Sequence, residues 1–362
     1  MNKVKASVIV CTYNRAELLR SSIQSILEQD LPQDAFEVIV VDNNSKDGTA
    51  DAVRQFNASA VAVKYFFESR QGLSFARNTG IANAAGEIIV FTDDDIEADR
   101  SWLSSLVAVF DDRAVSCAGG PIRPIWPGKR PDWLTDDLLR YLTVSEFGSA
   151  GETGAFKGPS YPWGANIAFR RDVFETSGLF PVNLGRSGAS LLSNEEIMLC
   201  RKIERSGKKI AFAGNAVIHH KIPAERLSKS WFYHRAFWQG RSEAITDVEA
   251  QFNMYPRLRH HAGDWARISG NRGTGNFSSI CYKQVILGYL FQLMTSVENG
   301  DIRKLRTLRT FIEAILWESR SEAILRERDE LQRQMHQMVN STSWKITEPL
   351  RWISKMLAKY RQ

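Results

Sequence analysis

The sequence predicts an α/β protein: a doubly wound, mostly parallel sheet over residues 1–245, then a helical region over 246–362. Three observations point there. Short apolar runs alternate with segments whose apolar residues recur at helical spacing, the pattern of successive strand–helix units. The run Ile88-Ile89-Val90-Phe91, with Gly86 just before it, has the unbroken apolar character of a central strand buried on both faces. That run ends in Asp93-Asp94-Asp95, and the carboxyl ends of such strands are where open α/β sheets bind ligands. Three carboxylates there repel one another, and a divalent cation held through oxygen ligands relieves the repulsion. An acidic turn capping the next helix is the simpler alternative.

Ser7–Cys11 forms the first strand and Thr12-Tyr13-Asn14-Arg15 follow it. Leu18, Leu19, Ile23, Ile26 and Leu27 mark a helix over residues 16–29. Phe36–Val41 is the second strand, ending in Asp42-Asn43-Asn44-Ser45, and Asp47-Gly48-Thr49 opens a helix with Ala52, Val53 and Phe56 turned inward. Val61–Phe67 is the third strand, and Gln71-Gly72 leads into a helix carrying Arg77. Right-handed crossovers bring Thr12, Asp42, Arg77 and Asp93 to one edge of the sheet. Asp42 there is placed to accept hydrogen bonds from a base or ribose, or to cap a helix. Arg77 is placed to meet phosphate, or to form a salt bridge.

Of the 362 residues 43% are apolar, enough for a sizeable core, and the formal net charge is +6. The charge is uneven, because residues 301–362 hold 13 Lys/Arg against eight Asp/Glu. Such a basic tail suits an anionic surface. Cys11, Cys117, Cys200 and Cys281 are too scattered for a zinc or redox motif and fit a reducing compartment. The first apolar run is too short for a signal peptide. Residues 280–297, the best candidate for a membrane span, are interrupted by Lys283, Gln284 and Gln292.

The blocks SVIVCTYNR, EVIVVDNNSKDGT, GLSFARNTGI and GEIIVFTDDD, in this order and spacing, resemble those of the family 2 glycosyltransferases, which have the GT-A fold. The resemblance implies that Asp42 holds a nucleobase, that Arg77 meets a diphosphate, and that Asp93 and Asp95 form the DxD pair, on ribose and metal respectively. The implied donor set is Thr12, Tyr13, Arg15, Asp42, Asn44, Arg77, Asp93 and Asp94. Arg241, in the stretch RAFWQGR, joins it as a cation that could close over the diphosphate.

Residues 121–163 read as a long irregular segment whose aromatics either stack on sugar or pack as a flap. Trp163, Gly164, Ala165 and Asn166 begin a stretch that resembles the family's GAN-x-x-F-R block, which implies acceptor binding. Glu195 and Glu196 start a helix, where acids are also favoured by the helix dipole. The family has Glu-Asp here, the second acid being the catalytic base, and this chain has Glu196 in its place. Leu192, Leu199 and Ile203 set the inward face, which predicts Glu196 toward the crevice and Glu195 turned away, where Glu195 remains a catalytic candidate that could orient the acceptor or hold a neighbouring cation. Of the adjacent His219 and His220, the resemblance favours His220, with Asp93 and Asp95, at a Mn²⁺ or Mg²⁺ site.

Residues 263–275 read as a Gly/Arg-rich linker, and Ile324, Leu331 and Met338 as a short heptad seam. STSWKITEPLR (341–351) resembles a tail of bacterial cell-surface polysaccharide glycosyltransferases. In residues 350–362, Arg351, Lys355 and Lys359 oppose Ile353, Met356, Leu357 and Tyr360, the pattern of an interfacial helix. The expectation is an inverting transferase that is peripheral on the cytoplasmic face of the membrane. It takes a nucleotide-sugar donor and a saccharide or lipid-linked saccharide acceptor, and no nucleic-acid polymer. The alternative is a noncatalytic nucleotide- or carbohydrate-binding scaffold of a polysaccharide assembly complex.

Overall fold

A computed structural model describes residues 4–145, 153–156, 161–250, 255–270 and 276–297. The chain divides into two compact units, Met1–Phe232 and Tyr233–Gln362. The division falls inside one helix, whereas the sequence boundary at 245 lies near that helix's end.

The first unit opens as expected: β1 (Ala6–Thr12), α1 (Ala16–Leu27), β2 (Phe36–Asp42), α2 (Thr49–Arg54), β3 (Ala62–Phe67), α3 (Leu73–Asn83) and β4 (Ile88–Asp93). It continues with β5 (Ile96–Ala98), α4 (Trp102–Ala108), β6 (Val115–Gly119), β7 (Ile122–Ile125), β8 (Thr153–Ala155), β9 (Asn166–Arg170), α5 (Asp172–Thr176), α6 (Glu195–Arg205), β10 (Lys209–Ala213) and β11 (Ile218–Lys221). Eight strands form one sheet in the order β3-β2-β1-β4-β9-β6-β10-β8, and β5-β11-β7 form a second. The larger sheet is parallel from β3 to β4, while β9 is antiparallel to both its neighbours. The stretch 121–163 is therefore less irregular than its composition suggested, since it contains β7, a 3-10 turn at Asp136–Leu142 and β8.

Strand alternation explains why the central runs carry no polar face. Val8, Val10, Ile88 and Val90 enter one core, with Ile23, Ile26 and Trp102. Ile9, Ile89 and Phe91 enter the other, with Ile167, Leu199 and Ile203. In that second core Phe91, Phe169 and Phe180 pack edge to face at 5.1–6.1 Å, the geometry ring quadrupoles favour. Strand β3 lies at the sheet's edge, which leaves Tyr65 and Phe67 exposed.

Strand register places the functional ends together: Thr12 pairs with Asp42, Asp42 with Phe67, and Cys11 with Asp93. Asn14 and Asn44 adopt left-handed φ of 53° and 70°, which asparagine tolerates. Asn14 accepts a hydrogen bond from Lys46 N at 2.7 Å and donates its own N–H to Ser45 Oγ at 2.8 Å, clipping the two strand-end loops together.

The second unit holds most of α7 (Lys229–Glu249), then α8 (Tyr255–Gly270) and α9 (Phe277–Val297). Residues 263–270 are thus the end of α8 and not a linker, because a single Gly in a helix costs only about 1 kcal/mol, which tertiary packing can outweigh. A Cβ at Gly240 of α7 would overlap the Val285 carbonyl oxygen of α9, so these helices cross with their backbones in contact. Among the described residues no helix is long and apolar enough to cross a membrane. The heptad seam, the 341–351 block and the amphipathic tail lie outside the described residues.

Candidate active site

The end of β4 and the start of α1 build a carboxylate cluster. Asp94 and Asp95 are buried, and both accept from Arg15 Nη1, at 3.0 and 2.9 Å. Thr12 Oγ1 donates to the other Asp94 oxygen at 2.7 Å. Two buried acids side by side cannot ionise equally. Burial and the neighbouring Asp95 raise the Asp94 carboxyl above the usual range. Burial would raise Asp95 as well, but His220, Arg15 and Arg226 outweigh it and hold Asp95 well below that range. Asp93, half-buried at the strand end, completes the triplet.

Alternation along β11 turns His220 inward, 2% exposed, and leaves His219 half-buried against Asp99 at 3.0 Å. Asp95 Oδ1 lies 3.4 Å from His220 Nε2 and has no hydrogen-bond partner, and His220 Nδ1 has none either. A buried carboxylate oxygen with no hydrogen bond, at ion-pair distance from an imidazole nitrogen, fits a divalent cation. Among the described residues no group of three or more His, Cys, Asp or Glu is disposed around one point. Protein atoms would thus supply part of a shell, as is usual for Mg²⁺-like ions completed by water and phosphate.

Asp42 accepts from Ser45 N at 2.8 Å through one oxygen and from Tyr65 OH at 2.8 Å through the other. Tyr13 stands exposed beside it in sequence register, and Asn44 accepts from Lys46 Nζ at 3.1 Å. One arginine that the sequence did not single out also belongs to this region. Arg226, in the turn after β11, is 7% exposed, and among the described residues it makes no salt bridge. Burial, then repulsion from Arg186, lowers its pKa to about 10, and Asp95 and Asp93 lie within its field. A buried guanidinium without a carboxylate partner suits an anion. Only the short sequence interval from His220 to Arg226 hinted at it.

The second group of site residues gathers on α3, α6 and the segment before β9. The structure corrects the expectation for Glu195: it is buried together with Glu196. Both sit in the first turn of α6, and Glu195 is four residues before Leu199, so it shares the inward face. Its Oε1 accepts from Arg77 Nη1 at 2.6 Å. Arg77 is 3% exposed, with its guanidinium 5.8 and 5.3 Å from the ring centroids of Phe91 and Phe180. In this structure it is engaged by Glu195 and not open to a diphosphate. Burial, then Glu195, raises the Glu196 carboxyl well above the usual range, although Arg77 and the Gly164 N–H pull it back.

The acceptor candidates take different places. Gly164 packs against Arg77, Ala165 is core, and Trp163 is half-buried against the same core. Asn166 is fully buried. It accepts from Trp102 Nε1 at 2.9 Å and donates to the carbonyls of Pro121 and Ala216 at 3.0 and 2.8 Å. With its amide fully used inside the fold, Asn166 braces the segment and does not face an acceptor. Arg241 lies in the second unit, where Nε donates to Gln292 Oε1 at 2.9 Å and the guanidinium sits over the Trp238 ring.

Residues 7–178 match the family model described as glycosyl transferase family 2. They form a family 2 glycosyltransferase domain. Among curated relatives, glucosyl-dolichyl phosphate glucuronosyltransferase of Haloferax volcanii is 29% identical over 259 residues, covering 70% of this chain and 79% of the relative. Succinoglycan biosynthesis protein ExoM of Rhizobium meliloti is 27% identical over 237 residues, covering 64% and 72%. A solved mannosyltransferase from Pyrobaculum calidifontis, in complex with GDP-Man and Mn²⁺, superposes with TM-score 0.51 at 23% identity, covering 90% and 83%. The last likeness identifies the fold as GT-A. In this glycosyltransferase domain the aspartate triplet follows β4, and the paired glutamates open α6 with Glu195 tied to Arg77 of α3.

Proposed function

We propose that the protein is an inverting glycosyltransferase that moves a sugar from a nucleotide-diphospho-sugar to a hydroxyl of a saccharide or lipid-linked saccharide acceptor. One observation carries the reading. At the strand edge where Thr12 pairs with Asp42, the buried Asp94 and Asp95 are both held by Arg15, and Asp95 Oδ1 lies 3.4 Å from His220 Nε2.

In this reading Asp42, held by Tyr65 and Ser45, receives the base, with Tyr13 and Asn44 alongside. Asp93, at the strand end, meets the ribose. Asp95 and His220 would hold Mn²⁺ or Mg²⁺, which when bound supplies Lewis-acid stabilisation of the diphosphate. Thr12 and Arg15 keep the Asp94 and Asp95 carboxylates in place. Arg226 and Arg186 offer charge to the phosphates. Glu196 takes the proton of the acceptor hydroxyl. The acceptor oxygen bonds to the anomeric carbon as the bond to the diphosphate oxygen breaks on the opposite face, so one displacement inverts the centre. The raised pKa of Glu196 favours this role, since a base near the operating pH is the more effective.

The names of the relatives, a glucosyl-dolichyl phosphate glucuronosyltransferase and a succinoglycan biosynthesis protein, support a lipid-linked or polysaccharide acceptor. The basic tail supports peripheral attachment to the inner face of the membrane. The test is turnover of a panel of UDP-, GDP- and dTDP-sugars with extracted lipid-linked saccharides, with and without Mn²⁺. Product carrying the inverted anomeric configuration is expected. Retention of configuration, or nucleotide binding with no transfer from any donor, contradicts the proposal.

A further inference from the structure

We infer that Arg77 is a positioning residue for the base, acting through Glu195, and not a ligand of the donor diphosphate. The inference rests on the proposed transferase reading and concerns how its base is held.

The geometry is closed around the guanidinium. Its Nη1 is committed to Glu195 Oε1 at 2.6 Å, with both side chains about 5% exposed or less. Phe91 and Phe180 cover it from the core. Gly164 admits it from the remaining side, since a Cβ there would lie 2.9 Å from Cζ and overlap the nearer nitrogen. Glycine at this position therefore has a specific cause. The two acids are thus held differently: Glu195 takes the guanidinium, and among the described residues Glu196 forms no salt bridge. One Oε2 atom of each acid is left buried without a partner.

This asymmetry assigns roles. Glu195 is the member paired with a cation. Glu196, beside Glu195 and out of water, is the member that accepts a proton. The other charged or titratable groups facing Arg77 are Asp93 from β4 and Cys11 from β1. Burial raises Cys11 to about 12, so it stays a neutral thiol. A planar, always charged arginine serves here better than lysine, because it fills the slot between the two rings and Gly164 while bonding Glu195.

Three variants test the assignment: Arg77→Lys, the double variant Arg77→Gln/Glu195→Gln, and Gly164→Ala. The double variant replaces the ion pair by an amide pair and leaves no unpaired buried charge, so it guards against unfolding. For each, the affinity for UDP and GDP with Mn²⁺ is measured by calorimetry, and kcat and its pH profile are measured at saturating donor. The expected result is nucleotide affinity within about twofold of the parent, with kcat down at least about tenfold. In the double variant, loss of both charges should displace the acid limb of the pH profile. A loss of more than about tenfold in nucleotide affinity, with kcat retained at saturating donor, would overturn the inference and make Arg77 a phosphate ligand. The affinity measurement needs no turnover, so a protein that binds nucleotide but transfers nothing fails the transferase reading and still decides the place of Arg77.

Discussion

Replacing Asn166 by Ala separates the two roles open to that residue. The sequence resemblance implies acceptor contact, whereas the structure buries Asn166 and uses every arm of its amide internally. Truncation would leave the Trp102 indole N–H and the Ala216 carbonyl without these partners, while Pro121 O keeps the N–H of Ile218 at 3.2 Å. Each buried group left unpaired costs about 1–3 kcal/mol, so the change should cost roughly 2–6 kcal/mol. That is a large share of the typical 5–15 kcal/mol of a folded domain. At about 2–4 °C per kcal/mol for a domain near this size, the melting temperature should fall by at least about 4 °C. Thermal and urea unfolding followed by tryptophan fluorescence would read it. Acceptor KM, measured well below the transition, should be nearly unchanged. A variant of parental stability with a strongly raised acceptor KM would refute the buried-brace argument and restore the acceptor role.

Other outcomes follow from the same geometry. Tyr65→Phe removes a 2.8 Å hydrogen bond to Asp42, worth about 0.5–1.5 kcal/mol, so nucleoside affinity should fall by about two- to tenfold in calorimetry; an unchanged Kd would remove Asp42 from the donor site. Asp95→Asn should abolish transfer and the Mn²⁺ dependence of nucleotide binding while the far-UV spectrum is kept, and full metal-dependent activity would displace the site. Truncation after Asn340 should reduce co-sedimentation with anionic vesicles, with each Lys or Arg near the surface contributing about 1 kcal/mol; an equal bound fraction would refute attachment through the tail.

The strands of the first hundred residues were legible because each is an apolar run closed by a polar turn. Their shared edge followed from crossover handedness, and Thr12, Asp42 and Asp93 meet there. The partner of Arg77 was not legible, because Glu195 is 118 residues away and reaches Arg77 only in the folded chain. Asn166 reads the same whether its amide faces a ligand or two carbonyls, since only the path of the chain around β9 decides. Glu195 was misassigned because at a helix start two adjacent acids can both be enclosed when one finds a cation. Arg186 and Arg226 looked like any surface arginines until burial without a salt bridge set Arg226 apart. In residues 263–270 the glycines masked a helix that tertiary contacts sustain, with Trp265 and Leu258 packed in the helical core.

The central claim is that Glu196 takes the acceptor proton. The direct measurement is kcat of the parent and of Glu196→Gln, with saturating nucleotide-sugar and acceptor, across pH. Burial and Glu195 raise the Glu196 pKa above its ordinary 4.5, and the working form is the ionised one. Parent turnover should therefore fall on acidification through a pH above the ordinary carboxylate range. Glu196→Gln should lose about 100- to 10,000-fold and lose that acid limb, with nucleotide affinity nearly intact. If Glu196→Gln transfers sugar at the parental rate with the same pH profile, Glu196 is not the base and the account is contradicted.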